Sequence, residues 1–155
     1  MIKTTDSVYV DAPVKEVYEF FSDPMNWQEL APSWGHMECT NLKRTPELTG
    51  TTFDGTAKFL GLPAMKESFE ILEAKRNRRL VMRGNGPFGE EIMTLLFDSV
   101  DPGMVVTMLD QRGATAAERI PVFGRLVETV FNRTNLVWLH QLKTTMEART
   151  APRAA

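Results

Sequence analysis

An α+β fold is predicted: an antiparallel sheet of about seven strands curled around one long C-terminal helix, with two short helices after the first strand. Three observations predict it. From Pro121 to Arg149 the chain has no internal proline, and its one glycine, Gly124, falls in the first turn. Phe123, Val127, Val130, Phe131, Thr134, Trp138, Gln141 and Thr145 recur there at three- and four-residue steps, the period of one helix face. Before this segment, runs of strand-like alternation are separated only by short turn sequences, which gives a meandering antiparallel sheet rather than parallel strands with crossover helices. The amphipathic helix and the one-sided sheet then need each other for burial. A strongly twisted sheet that curls around the helix leaves a groove between them.

The elements follow in order. Ser7–Val10 alternates around Val8 and Val10 as a strand that Asp11-Ala12-Pro13 breaks. Val14, Val17, Tyr18 and Phe21 have helical spacing, with Pro13 suited to a first turn because it lacks an N–H. Ser22-Asp23-Pro24 closes that helix, and a second short one covers Met25–Leu30. Trp34–Arg44 reads as a strand. Gly50–Leu60 alternates cleanly, with Phe53, Gly55, Ala57 and Phe59 on one face. Glu67–Ala74, Arg79–Gly84, Glu91–Ser99 and Met104–Gln111 are the remaining strands, with turns at Arg76-Asn77, Gly84–Gly89 and Asp101-Pro102-Gly103. Residues 1–150 are expected to form one domain, and 151–155 a disordered tail.

Composition excludes several functional classes. The 155-residue chain has a net charge of −2, against the concentrated basic face that nucleic-acid binding needs. Residues 112–155 carry seven Lys/Arg against three Glu, and Lys75–Arg79 is the only dense basic run, which reads as a solvated turn, with an anion or membrane contact as the alternative. One cysteine, Cys39, rules out an intrachain disulfide and fits a reducing cytoplasm. The start of the sequence lacks a signal-peptide pattern, and no apolar segment is long enough for a transmembrane helix. A cytoplasmic monomer or weak dimer is expected.

Val8 to Trp27, reading VYVDAPVKEVYEFFSDPMNW, resembles the opening of the START-related, polyketide cyclase/dehydrase (SRPBCC) superfamily. Members share a strand ending in Ala-Pro, a helix with Val and an aromatic residue, an Asp, and a Trp just beyond. Arg78-Arg79-Leu80-Val81-Met82-Arg83 resembles their central strand after a basic turn. Leu139 to Glu147, with its Leu142-Lys143 pair, resembles the end of their last helix. The resemblance implies a helix-grip fold whose cavity takes a hydrophobic small molecule. Lipid carriers, hormone receptors, quinone-binding proteins, aromatase/cyclases and co-chaperones share that fold, so the resemblance does not select one function.

Motifs that carry chemistry are sparse. Gly84-Asn85-Gly86-Pro87-Phe88-Gly89 matches the dinucleotide fingerprint and follows a strand, but the fingerprint needs a helix at its third Gly. Met93, Leu95 and Phe97 alternate as a strand instead, so the segment reads as a hairpin. His36 and Cys39 have metal-like spacing without further ligands nearby, and His140 lies on another side of the helix from Val127 and Trp138. No metal and no cofactor are expected. No Gly-x-Ser-x-Gly occurs, and Glu90 and Glu91 point to opposite faces of a strand, which makes them a poor acid/base pair.

The nine Met and nine Phe are the better signal. Most are core, yet flexible Met side chains also suit a cavity for varied apolar ligands. The expected ligand-binding residues are Phe53, Phe59, Met82, Met93, Leu95 and Met108 on the sheet, with Val127, Phe131 and Trp138 on the helix. A cavity of about 300–1,000 Å³ is expected between them. Trp27 should pack at the end of the short helical pair and prop the cavity mouth. Arg83 is read as an outer-face residue paired with an acid, or as a group holding a ligand anion; Asp110 and Arg112 are similarly ambiguous.

The reading is a protein that binds a hydrophobic or aromatic small molecule, lipid, polyketide or quinone-like, between sheet and helix. The alternatives are an aromatase/cyclase or dehydratase enzyme, with Arg83, His36 and Asp110 as candidate acid/base groups, and a protein-interaction module of the co-chaperone kind.

Overall fold

The structure is a computed structural model that describes residues 1–31, 35–59, 63–113 and 121–151. The expected order is present: β1 (Ile2–Val10), α1 (Val14–Phe21), a 3₁₀ helix (Pro24–Leu30), β2 (Gly35–Lys43), β3 (Thr52–Phe59), β4 (Met65–Lys75), β5 (Arg79–Gly86), β6 (Gly89–Val100), β7 (Gly103–Arg112) and α2 (Pro121–Thr150). The seven strands form one antiparallel sheet in the order β1-β7-β6-β5-β4-β3-β2. Every connection from β2 to β7 joins sheet neighbours. Only the passage from β1 to β2 crosses from one edge to the other, and α1 with the 3₁₀ helix makes it. The 30-residue α2 is about 45 Å long.

β1 begins five residues before the expected Ser7. Its inward positions include Thr4 and Asp6, so a search for apolar alternation sees only Val8 and Val10. Thr4 instead accepts a hydrogen bond from the Asn135 amide of α2 at 3.1 Å. The hairpin between β5 and β6 is also tighter than expected, because both strands run into the glycine-rich segment and leave only Pro87-Phe88 as the turn. Gly89 has φ +93°, a left-handed conformation natural for glycine alone. A strand follows it, so no helix N-terminus is present to meet a pyrophosphate.

Pro13 sits at the N-cap of α1, where its carbonyl accepts the N–H of Glu16 at 3.0 Å and of Val17 at 3.2 Å. The helix buries Val17, Tyr18, Phe20 and Phe21, with Tyr18 edge-on to Phe97 at 5.3 Å. Asp23 caps the next turn, its carboxylate accepting the Met25 N–H at 3.1 Å. Trp27 is buried as expected, and its indole N–H donates to the Phe21 carbonyl at 2.8 Å.

The buried stripe of α2 differs from the expected one. Among the described side chains of α2, Asn135, Leu139, Leu142 and Met146 are buried, whereas Thr134, Trp138, Gln141 and Thr145 flank them at intermediate exposure. Sequence period fixes the spacing of a stripe, but neighbouring stripes on a helix differ by only about 100°. The Lys143–Glu147 pair fastens this face. Lys143 Nζ donates to the Tyr9 carbonyl at 2.9 Å and to Glu147 at 2.6 Å, and Glu147 accepts the Asp11 N–H at 3.0 Å. The end of β1 is thereby tied to α2. Among the described residues, no helix is long and apolar enough to cross a membrane.

Candidate functional site

The strand register places a change of chemistry at one level across the sheet. On β5 the inward residues run Leu80, Met82, Gly84, Gly86; on β6, Phe97, Leu95, Met93, Glu91; on β7, Val106, Met108, Asp110, Arg112. Met82 pairs with Met93, Gly84 with Glu91, Met93 with Asp110, and Glu91 with Arg112. One end of the groove is therefore filled with apolar side chains, and the other is floored by glycines and charged groups.

A cavity of about 150 Å³ opens at the second end. This is smaller than the expected range, and comparable with the space that accepts one benzene ring in an apolar core. The described walls come from β2 (Met37, Cys39), β3 (Phe53, Gly55, Ala57), β4 (Met65, Glu67, Phe69), the β5–β6 hairpin, and α2 (Thr134, Asn135, Trp138), with Trp27 at one side. Four rings form a continuous aromatic wall. Trp27 meets Phe53 at 5.1 Å, Phe69 at 5.7 Å and Trp138 at 5.5 Å, each edge-to-face, and Phe53 stacks on Phe69 at 5.0 Å. Such pairs gain from quadrupole alignment as well as from burial.

The same cavity is lined by a group of carboxyls. Glu67 of β4 and Glu91 of β6 are separated by β5, and they meet because that strand has no side chain between them. A Cβ on Gly84 would fall 2.5 Å from Glu67 Oε1 and 3.0 Å from Glu91 Cγ, and one on Gly86 would lie 3.2 Å from Glu67 Cγ. Burial raises both carboxyls, Glu91 to about 8 and Glu67 to about 7. The charge of Glu67, and then of Asp110, holds Glu91 higher still, while a hydrogen bond from Glu91 lowers Glu67. The two carboxyls are hydrogen-bonded to each other, and the proton belongs to the pair. Two carboxyls this close cannot both ionise freely, so they hold one proton between them near neutral pH.

Asp110, 4% exposed, completes the floor. Burial raises its pKa, against the lowering effects of a hydrogen bond with Asn135, the charge of Arg112 and the Gln111 backbone. Its Oδ1 is buried without a hydrogen-bond partner. A buried acceptor in that state is costly. Among the described residues, no three His, Cys, Asp or Glu side chains are arranged to hold a metal ion.

The residues expected at the site divide into four sets. Phe53, Met93, Trp138, Asp110 and Arg112 line the cavity. Met82, Leu95 and Met108 are fully buried in the packed half and do not line it. The side chains of Phe59, Val127 and Phe131 lie outside the described residues, as do Trp34 and residues 152–155. Arg83 and His36 do not reach the cavity: Arg83 is on the outer face, paired with Glu70 at 2.6 Å, and His36 is exposed on β2. Strand alternation is the physical reason for Arg83, since it adjoins two inward residues, Met82 and Gly84, and must point the other way.

Sequence reasoning misses Glu67 and Glu91 as a pair. It compares Glu91 only with its neighbour Glu90, whereas the partner lies two strands away. The signal is present in the inward phase of each strand: Glu67 shares a face with Phe69 and Ile71, Glu91 with Met93 and Leu95, and the strand between offers two glycines on that face.

Comparison with known proteins agrees with this architecture. A family model described as polyketide cyclase/dehydrase and lipid transport matches residues 1–147. Among solved structures, a Thermus thermophilus protein is 18% identical with a TM-score of 0.74, over 97% of this chain and 100% of that one. A Chromobacterium violaceum protein is 16% identical with a TM-score of 0.74, over 95% and 99%. The di-domain ARO/CYC StfQ from the steffimycin biosynthetic pathway is 14% identical with a TM-score of 0.76, over 96% of this chain and 51% of StfQ. No curated protein matches the chain in sequence. The match over nearly the whole length, joined to a curled seven-stranded sheet gripping a long C-terminal helix, makes this chain a member of the polyketide cyclase/dehydrase and lipid transport family.

Proposed function

We propose that the protein binds a small hydrophobic or aromatic molecule in the cavity between sheet and α2, with one ring against Trp27, Phe53, Phe69 and Trp138. The observation that carries this reading is the aromatic wall facing a cavity of about 150 Å³. A space lined mainly by apolar and aromatic groups, with a few convergent polar ones, is the ordinary form of a small-molecule site. Family membership supports the same reading, as the family includes lipid transport and cyclase functions.

Native mass spectrometry of freshly purified protein, followed by titration with single-ring aromatics of increasing alkyl length, tests it. A retained small molecule, or a saturable change in tryptophan emission, is expected. Affinity should rise with each buried methylene, by about 0.8 kcal/mol, until the cavity is full. The change should be lost in Trp138→Phe if that indole reports it. A protein that retains nothing and responds to no ligand in the series would overturn the reading.

One observation favours the enzymatic alternative. The Glu67–Glu91 pair places an acid and its conjugate base at the cavity floor, which is what enolisation and dehydration of a bound carbonyl compound require. Turnover of a model polyketide that is lost in Glu91→Gln but kept in Arg83→Ala would support it. Absence of turnover leaves binding as the function.

A further inference from the structure

The polar half of the cavity is one-sided in its chemistry. Glu67, Glu91 and Asp110 present carboxyls to it, Glu38 adds a fourth at the exposed rim, and Arg112 is the sole cationic side chain among the described lining residues. Arg112 lies across from Glu91 in the sheet register and its positive charge acts on both Asp110 and Glu91. With one proton shared by the two glutamates, two negative charges remain on Glu67, Glu91 and Asp110, and one guanidinium balances one of them, which leaves one in excess. Asp110 Oδ1, buried in the floor, has no hydrogen-bond partner and can only accept unless it is protonated. The same cavity is lined by four aromatic rings, whose π faces attract cations as well as apolar groups.

We propose that the cavity selects a small aromatic amine in its ammonium form, with the ring against the aromatic wall and the ammonium at Asp110 Oδ1 and the Glu67–Glu91 pair. This rests on the small-molecule reading above and names its ligand class. A carboxylate or phosphate ligand would add to that negative excess. A neutral hydroxyl would satisfy one acceptor and leave the negative excess uncompensated. An ammonium brings three donors and the missing charge. It would also displace the proton that the two glutamates share, so that binding near neutral pH is coupled to proton release.

The test uses four ligands of one ring size: benzylamine, benzyl alcohol, toluene and benzoate. Each is titrated into the full chain by calorimetry and tryptophan emission. Benzylamine is expected to bind at least about tenfold more tightly than benzyl alcohol. Its heat near neutral pH should depend on the buffer's ionisation enthalpy, as proton release requires. Asp110→Asn and Glu91→Gln should each lower the ratio of benzylamine to toluene affinity. If a variant fails to fold, the ranking in the unaltered protein decides alone. Benzyl alcohol or toluene equal to or tighter than benzylamine would overturn the proposal while small-molecule binding stands. Benzoate tightest would overturn it in favour of recognition by Arg112. No saturable binding by any of the four would remove both readings together.

Discussion

The two halves of the groove between sheet and helix are built from the same strands in the same register, yet one is solid and the other open. In the solid half, Leu80, Met82, Leu95, Met104 and Met108 meet Leu139 and Leu142, all of them 1% exposed or less. In the open half, the next inward positions on β5 are Gly84 and Gly86, and those on β6 and β7 are Glu91, Asp110 and Arg112. The backbone does not change character between them. Side-chain volume and polarity do, at the same register level on three adjacent strands. A cavity here is therefore a property of a few residues, whereas the fold is a property of the whole pattern. The packed half stabilises the grip of sheet on helix, which leaves the other half free to carry polar groups that an efficiently packed core would exclude.

Truncating single side chains puts the contrast between the halves under the most severe strain. Leu95→Ala, in the solid half, should cost about 2–5 kcal/mol by chemical denaturation, since it leaves a void among tightly packed neighbours. Trp27→Ala should cost about 3–5 kcal/mol, because its ring is 4% exposed and packs edge-on against Phe53, Phe69 and Trp138. A loss below about 1 kcal/mol at Leu95 would mean that the solid half is not packed, and one at Trp27 that the aromatic wall is exposed.

Glu91→Gln probes the open half through pH. The folded-state pKa values of Glu91 and Glu67 stand near 8 and 7, above the ordinary 4.5. The folded protein then binds more protons than the unfolded chain between those limits, so this pair makes stability fall as pH rises from about 4.5 through about 8. The substituted amide retains a donor for Glu67 and removes one of the two titrations. The variant should gain on the order of a few kcal/mol at most over the unaltered protein above about pH 8, and nothing below about pH 4.5. Thermal melts across that range measure it. A gain that appears at acid pH instead would show that the pair is ionised and held by cations.

Trp138→Ala should cost less than either truncation in the first test, about 1–2 kcal/mol, because its half-buried ring already borders open space. It should nonetheless remove most of the response to single-ring ligands. Equal stability losses at Trp138 and Leu95 would erase the distinction between the halves. The smallest effect is expected at Arg83→Ala, where an exposed ion pair with Glu70 is lost on the outer face. Neither the denaturation midpoint nor ligand affinity should change measurably, and a clear loss of affinity would return Arg83 to the site.

The order and type of every element follow from the amino-acid sequence alone, because short turns between alternating runs permit only a meander, and a long amphipathic helix requires a surface to cover. The hairpin at Gly84–Gly89 follows as well, since the alternation of Met93, Leu95 and Phe97 is that of a strand, and so does the tight packing of Trp27. The face taken by Arg83 stayed open in the sequence, because Leu80, Val81 and Met82 before it are all apolar, and the sheet decided it by turning Met82 and Gly84 inward. Relations between strands distant in sequence needed the folded molecule. Which of two adjacent stripes α2 buries depends on the sheet it meets, so Leu139, Leu142 and Met146 replace part of the expected face. The inward polar positions Thr4 and Asp6 hide the first half of β1 from any hydrophobic pattern. The meeting of Glu67 with Glu91 needs three strands in register and a glycine at the crossing point. Periodicity describes one strand at a time, and a site whose walls come from six strands and two helices exists only once the sheet has closed around them.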